Sequence, residues 1–193
     1  MTRIALRAVL ATVVLAILTG IAYPLVATGF AQVIVRGKAD GSIVSEDGHP
    51  VGSSLIGQQW KGPQWFYGRP SAVEYDASTS SGSNLGPQSK ELATEIQHRV
   101  AAIISLEGPY HPNLTASEIP ADLVTASGSG LDPDISPAAA NFQAPRIAAA
   151  RDLPLPKVRE LIDANTSGPT LGFLGEPRVN VFDLNLSLRG TQP

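Results

Sequence analysis

The chain has 193 residues, of which 43% are hydrophobic and 16% are charged, and its formal net charge at pH 7 is −3. It contains no cysteine, which excludes disulfides, a thiolate nucleophile and thiolate metal sites. The acidic balance argues against a nucleic-acid partner, because binding to a phosphate backbone requires a basic face.

A long uncharged segment lies near the N-terminus. No residue between Arg7 and Arg36 carries a charge, and most are Ala, Val, Leu, Ile or Thr. A helix needs about 20 such residues to cross ~30 Å of hydrocarbon. We therefore predict a transmembrane helix over residues 8–33, preceded by a short cytoplasmic tail over residues 1–7. The alternative is a cleaved secretory signal, although the apolar core of such a signal spans only about 7 to 15 residues.

Small residues recur at every fourth position of this segment, and a proline occupies one position in the row. In lipid, a row of small residues lets two helix backbones approach closely. The row therefore predicts a packing face for a partner helix, with ordinary lipid-facing surface as the alternative. Because Pro24 has no N–H to donate to the carbonyl of Gly20, we also expect a kink. The predicted partner-packing residues are Ala8, Thr12, Ala16, Gly20 and Pro24.

The charges on either side of the segment indicate its orientation. Arg3, Arg7 and the terminal amino group precede it, whereas Arg36 and Lys38 follow it. This small excess of positive charge favours a cytoplasmic N-terminus and a single-pass topology with the large domain outside the cytoplasm. All 17 acidic residues follow the segment, so that domain is predicted to be acidic.

Residues 34–193 are predicted to form one extracytoplasmic domain of the α/β (α+β) class. Short runs at Ser42–Val44 and Leu55–Gln58 read as strands bounded by turn residues. Apolar residues recur on one face from Pro87 to Glu107, which predicts an amphipathic helix packed on a sheet. A dense aromatic cluster is expected in the core, with the membrane interface as the alternative. The cluster comprises Trp60, Trp65, Phe66 and Tyr67.

Three further elements are predicted in the C-terminal half. Asp134 or Ser136 begins a helix whose first residue is Pro137 and which continues to Ala150. A second short helix spans Pro156 to Ala164. Val179 to Leu188 alternates between apolar and polar residues, which predicts a half-buried strand.

A Ser/Gly turn is the main candidate for a functional site. Neither Ser127 nor Ser129 has glycine at both −2 and +2, so the nucleophile-elbow pattern is missing. Pro133 stands where a dinucleotide-binding motif needs glycine, and Asp132 begins an incomplete calcium loop. No catalytic residue and no metal ligand is therefore predicted. We interpret the turn as a docking or structural elbow that comprises Ser127, Gly128, Ser129, Gly130 and Asp132.

Several sequence blocks, in order along nearly the whole chain, closely resemble the C subunit of the bacterial Kdp potassium-transporting ATPase. Ser81 departs modestly from the pattern, where a small residue, often glycine, is expected. The blocks are Tyr23–Leu25, Gly52–Gln58, Phe66–Ser71, Ser81–Pro87, Asp122–Pro133 and Gly175–Val181.

This resemblance implies a non-catalytic accessory subunit of an ATP-driven, high-affinity potassium uptake pump in the bacterial inner membrane. The implied partners are a channel-like, potassium-translocating A subunit, an ATP-hydrolysing P-type B subunit and a small F subunit. ATP and potassium are implied for the complex rather than as cofactors of this chain. The family's proposed role is that of a catalytic chaperone which raises the affinity of the B subunit for ATP.

The resemblance also points to candidate ATP-related residues, since the turn Ser81–Asn84 is faintly similar to the signature loop of ABC-type ATPases. An extracytoplasmic domain cannot reach a cytoplasmic nucleotide through ~30 Å of hydrocarbon. The predicted topology and a direct ATP contact therefore exclude each other, and we retain the topology. The candidate residues are Gln58, Ser81, Gly82, Ser83 and Asn84.

Two function classes are compatible with the sequence. One is a pump subunit that stabilises the complex. The other is a free-standing, membrane-anchored extracytoplasmic binding protein or serine-type hydrolase that uses the turn at Ser127–Gly130. Co-purification with larger membrane subunits discriminates between them.

Overall fold

The computed structural model describes residues 2–191. Within it the chain divides into two units, the first of which ends at Gly52 and the second of which begins at Ser53. The predicted tail begins at residue 1 and the predicted domain ends at residue 193, and both of these limits lie outside the described residues.

The first unit contains one long apolar helix. It consists of α1 (Thr2–Ile17), a π-helical turn (Leu18–Ala22) and α2 (Tyr23–Ile34). None of its residues is buried. Its 33 residues are apolar and long enough to cross a membrane. The predicted membrane segment, residues 8–33, therefore lies entirely within one helix.

The π-helical turn lies immediately before Pro24. A proline at this position removes the N–H that would otherwise bond to the carbonyl of Gly20. The N–H of Tyr23 donates to the carbonyl of Leu18, five residues back, which widens the turn. The α-helical hydrogen bonding is thus interrupted where Pro24 predicts a distortion.

A short hairpin follows the helix. After α3 (Arg36–Ala39), strand β1 (Ile43–Glu46) pairs with β2 (His49–Ser53). The intervening Asp47 and Gly48 have φ of 51° and 77°, as two-residue hairpin turns of the I′ type require. The strand predicted at Ser42–Val44 is confirmed, with its start shifted by one residue and its end by two.

The strand predicted over Leu55–Gln58 is wrong, because this segment forms a turn and irregular backbone. The N–H of Gly57 donates to the carbonyl of Leu131 at 2.8 Å. A Cβ on Gly57 would lie 2.5 Å from the carbonyl oxygen of Asp132. Gly57 is therefore buried by close backbone approach to a distant loop rather than by a strand ladder, and Leu55 stays exposed.

The second unit mixes helices with a small antiparallel sheet, which confirms the mixed helix and sheet class. In the sheet, Val179 lies opposite Ile135 on one side and Thr166 on the other. The strand order is β3 (Asp134–Ile135), β5 (Arg178–Asn180), β4 (Thr166–Ser167). The helices are α4 (Lys90–Glu107), α5 (Pro137–Arg151), α6 (Leu155–Ala164) and α7 (Val181–Arg189).

Serine caps determine where two of these helices begin. The hydroxyl of Ser89 accepts from the N–H of Leu92, so α4 starts at Lys90 rather than at the predicted Pro87. The hydroxyl of Ser136 accepts from the N–H of Ala139, so α5 starts at Pro137, as predicted. The predicted short helix α6 is confirmed to within one residue.

The half-buried strand predicted over Val179–Leu188 is wrong beyond Asn180, where α7 begins. The Oδ1 atom of Asn180 caps this helix by accepting from the N–H of Asp183 at 3.1 Å. The apolar residues of this segment fit both periods, two and 3.6. The structure buries the helical set, which comprises Val181, Phe182, Leu184, Asn185 and Leu188.

The core of the second unit contains three of the four residues of the predicted aromatic cluster, and the fourth, Tyr67, is half-buried beside it. Phe66 is fully buried, and Trp60 and Trp65 pack against the core while partly exposed. Their indole ring centroids lie 5.1 Å apart. The rest of the core comes largely from α5, α6, β5 and α7, and includes Ala140, Ile147, Val158, Ile162, Val179, Leu184 and Leu188.

Candidate functional site

Two buried amide side chains hold the extended segment at Phe66 and Tyr67. Asn185 accepts from the N–H of Phe66 at 2.9 Å and donates to its carbonyl at 3.0 Å. Gln143 does the same for Tyr67, at 2.8 and 3.0 Å. Because a backbone buried without partners is costly, these amides replace the neighbouring strand that the segment lacks.

Arg146 forms a buried ion pair with Glu107 beside this segment. Arg146 is fully buried and Glu107 is 2% exposed. The Nε atom of Arg146 donates to Glu107 Oε1 at 2.8 Å, and its Nη1 donates to the carbonyls of Pro63 and Trp65. The guanidinium carbon lies 4.9 Å from the ring centroid of Tyr67. Burial raises the pKa of Glu107, and the charge of Arg146 opposes this rise.

A cavity of about 350 Å³ lies next to the ion pair. Its apolar wall consists of Trp60, Tyr67, Ile103, Leu106 and Leu123. Polar lining comes mainly from Gln58, Arg69, Glu74, Tyr75 and Glu107. This is the combination of apolar walls and few polar groups that is typical of small-molecule sites.

Arg69 lies at the polar side of the cavity. Its Nη1 donates to Asp132 Oδ2 at 3.2 Å, and its carbonyl accepts from the hydroxyl of Tyr75 at 2.5 Å. Burial, together with the negative charge of Asp132, raises the pKa of Tyr75 to about 12. Tyr75 is therefore a neutral hydrogen-bond donor at physiological pH.

The Ser/Gly turn is a closed structural element next to Arg69. Ser127, which is 3% exposed, accepts from the N–H of Gly130 at 2.9 Å. Gly130 has φ +68°, and a Cβ there would lie 2.5 Å from Val73 Cγ2 and 2.7 Å from the carbonyl oxygen of Ser81. Only glycine fits such a position. The hydroxyl of Ser127 thus closes a turn.

Comparison with known proteins identifies the family. A family model described as the c chain of the K⁺-transporting ATPase, KdpC, matches residues 5–190. The potassium-transporting ATPase KdpC subunit of Polaromonas naphthalenivorans is 51% identical over 183 residues, which cover 93% of this chain and 91% of that one. The KdpC subunit of Koribacter versatilis is 46% identical over 190 residues, covering 97% and 95%. The chain belongs to the KdpC family.

Membership of the KdpC family confirms the resemblance found in the sequence. The chain is accordingly a subunit of a K⁺-transporting ATPase, and the subunit name implies a complex with other subunits. The apolar helix Thr2–Ile34 is consistent with membrane anchoring in that role.

The structure brings together two sets of residues that the sequence treated separately in this KdpC chain. A Cβ on Gly82 would lie 3.1 Å from the carbonyl oxygen of Gly128, so the Ser/Gly turn packs on the turn that contains the ATP-related candidates. Ser80 links the same two turns by donating to the carbonyl of Ser129 at 3.2 Å. Gln58 lies apart from Ser81–Asn84, in the lining of the cavity.

Of the two residues predicted to start the helix, Asp134 or Ser136, Ser136 supplies the cap. Asp134 instead forms an ion pair with Arg178 at 3.1 Å. Asp132 accepts from the N–H of Asp134 and pairs with Arg69. Over residues 2–191, no group of three or more His, Asp or Glu side chains is placed to hold a metal ion.

Sequence reasoning missed the buried polar residues of this KdpC chain. The alternating pattern of Val179–Leu188 places Asn185 on the polar face of a strand, yet it is fully buried. Arg146 was one residue in an Ala-rich helix, and Glu107 was the last residue of an amphipathic one. A single arginine within the otherwise uncharged run Pro137–Ala150 is a signal that could have indicated a buried ion pair.

Proposed function

We propose that this chain is a non-catalytic accessory subunit that stabilises an ATP-driven, high-affinity potassium uptake pump. The observation that carries the proposal is the apolar helix Thr2–Ile34, in which no residue is buried within its own unit. A helix of this kind finds its packing partners outside the chain. Ser127, the candidate nucleophile of the alternative hydrolase, instead closes a turn with Gly130.

In this proposal the chain crosses the bacterial inner membrane once, and its large domain lies outside the cytoplasm. The small excess of positive charge before the helix supports this orientation. The partners are the channel-like A subunit, the P-type B subunit and the small F subunit. The chain raises the affinity of the B subunit for ATP through assembly of the complex, because its large domain cannot reach a cytoplasmic nucleotide.

The row of small residues on the helix is proposed as the contact with the A subunit. A Cβ added at Gly20 would meet no atom within 4 Å, so the chain itself leaves this position open. The hydroxyl of Thr12 donates to the carbonyl of Ala8 at 2.9 Å, which satisfies it within the helix. The row therefore offers a flat surface with no unpaired hydroxyl group at Thr12, as close packing in lipid requires. Ala16 and Pro24 complete the proposed face.

A second apolar surface lies on the loop between β4 and β5. Leu171, Phe173 and Leu174 are 80%, 73% and 51% exposed. The loop is closed by a bridge between Thr170 and Leu174, whose backbone atoms bond at 2.8 and 2.9 Å. Large apolar side chains clustered on an ordered loop are typical of a protein contact, and we assign this one to another pump subunit.

The test is co-purification of a tagged chain with the other pump subunits in mild detergent. Gly20→Leu should reduce recovery of the complex several-fold, because it separates the two helix backbones, while membrane insertion persists. Gly29→Leu is the matched control, since Gly29 lies on the same helix, off the row, and also has no atom within 4 Å of its Cβ position. Equal recovery for both variants would assign the row to lipid. A wild-type chain that purifies alone from cells expressing the whole pump would refute the subunit role itself.

A further inference from the structure

Three buried polar atoms point to an occupant for the cavity. Among the residues that the structure describes, the buried side-chain atoms without a hydrogen-bond partner are Trp60 Nε1, Arg69 Nε and Glu107 Oε2. All three belong to residues that line the 350 Å³ cavity. Buried polar groups in native proteins are nearly always paired. The coincidence of all three at one cavity therefore indicates a ligand that pairs with them.

The rest of each side chain is already held in place. Glu107 Oε1 accepts from Arg146 at 2.8 Å, and Arg69 Nη1 donates to Asp132 at 3.2 Å. Trp60 packs on Trp65 with a centroid distance of 5.1 Å. The free atoms are consequently fixed before any ligand arrives, which lowers the entropic cost of binding.

The free atoms define the hydrogen bonding that a ligand must supply. Trp60 and Arg69 each offer one N–H, so they need acceptors, whereas the carboxylate oxygen of Glu107 needs a donor. A carboxylate matches the two N–H groups, and an ammonium group matches Glu107. Charge-assisted pairs of this kind are stronger than neutral hydrogen bonds.

The volume of the cavity and the charge of its lining restrict the class of ligand further. A volume of 350 Å³ is near the lower end of the roughly 300–1,000 Å³ found for small-molecule sites. The charged lining is Arg69, Glu74 and Glu107. Arg69 is already paired with Asp132 and Glu107 with Arg146, which leaves Glu74 as the remaining charge of the lining. A polyphosphate would meet more negative than positive charge there, whereas a zwitterion adds no net charge.

We propose that the cavity binds a free α-amino acid with an apolar side chain. Its ammonium group donates to Glu107 Oε2, and its carboxylate accepts from the N–H groups of Trp60 and Arg69. Its side chain packs against Ile103 and Leu106. This site is independent of the proposed role in the pump, because binding requires only the second unit of this chain.

The experiment is calorimetric titration and thermal unfolding of the full chain in detergent. L-leucine is the first probe, with 4-methylpentanoate and 3-methylbutylamine as analogues that each lack one charged end. L-leucine should bind and raise the melting temperature, and each analogue should bind at least about ten-fold more weakly, because it leaves one set of buried groups unpaired. Glycine should also bind more weakly, since it lacks the apolar side chain.

Variants locate the binding to the cavity. Leu106→Trp should fill it and abolish binding of L-leucine. Ile104→Trp is the matched control, because Ile104 lies on the same helix, is 36% exposed and is outside the lining. Trp60→Phe removes one N–H donor and should weaken binding while the fold, checked by circular dichroism, persists.

Two results would overturn the proposal. One is that neither L-leucine nor any other apolar amino acid binds the wild-type chain at millimolar concentration, in which case the cavity holds water only. The other is that folded Leu106→Trp and Trp60→Phe bind L-leucine as tightly as the wild-type chain does. Both results leave co-purification with the pump subunits unaffected, so they are distinguishable from a failure of the subunit role.

Discussion

Asn185→Ala should be among the most destabilising single substitutions in the second unit. The amide of Asn185 forms two hydrogen bonds to the backbone of Phe66, at 2.9 and 3.0 Å, and both residues are fully buried. Each buried group left without a partner costs about 1–3 kcal/mol. The two groups of Phe66 together therefore cost about 2–6 kcal/mol. That is a large fraction of the ~5–15 kcal/mol that stabilises a typical domain.

The assay is denaturant unfolding of the full chain in detergent, followed by tryptophan fluorescence. Trp65 directly precedes Phe66, and Trp60 packs against Trp65, so the tryptophan fluorescence reports on this segment. Asn141→Ala is the control, because Asn141 is exposed and donates to the carbonyl of Pro137 at 2.9 Å. It should cost less than about 1 kcal/mol. An Asn185→Ala cost below ~1 kcal/mol, or equal to that of the control, would refute the structural role of the amide.

Three further predictions concern the turn, the buried ion pair and the exposed loop. Gly130→Val should impair folding, because its Cβ would clash at 2.5 Å with Val73, whereas Ser129→Ala should leave ATPase activity of the pump nearly unchanged. Burial raises the pKa of Glu107, so its contribution to stability is present below the ordinary pKa and is lost as pH rises through the raised one. The melting temperature of the wild-type chain minus that of Glu107→Gln should therefore decrease as pH rises from the ordinary pKa of a glutamate to the raised one. A difference that stays constant with pH would contradict this. Phe173→Ser should reduce co-purification with the other subunits without lowering the melting temperature, since Phe173 is 73% exposed; unchanged recovery would remove the loop from the interface.

The ion pair between Arg146 and Glu107 could not be predicted from the charged residues of the sequence. Isolated ions in an apolar interior are costly, and a pair is tolerated only when its remaining donors and acceptors are satisfied. Arg146 meets this condition through Gln143, Pro63, Trp65 and Glu107. In Glu107 only Oε1 accepts a hydrogen bond, and Oε2 has no hydrogen-bond partner. Both residues are visible in the sequence, but they are 39 residues apart, and no local pattern indicates that their side chains are in contact.

The sequence by itself determined the features that depend on neighbouring residues. The uncharged apolar run after Arg7 predicted most of the helix Thr2–Ile34, and Pro24 predicted the interruption of its hydrogen bonding. Ser136 followed by Pro137 starts α5 through local capping. The aromatic density around Phe66 indicated the core, and the motif blocks indicated the family.

Only the tertiary structure decided the features that depend on distant residues. Val179–Leu188 carries apolar residues at both the strand and the helix period, and packing of the helical set selected α7. The partners of Phe66 and Tyr67 are 119 and 76 residues away, so no local pattern announces them. The cavity arises from the same long-range packing, because Trp60 and Arg69 lie in the irregular segment around Phe66, whereas Glu107 lies at the end of α4.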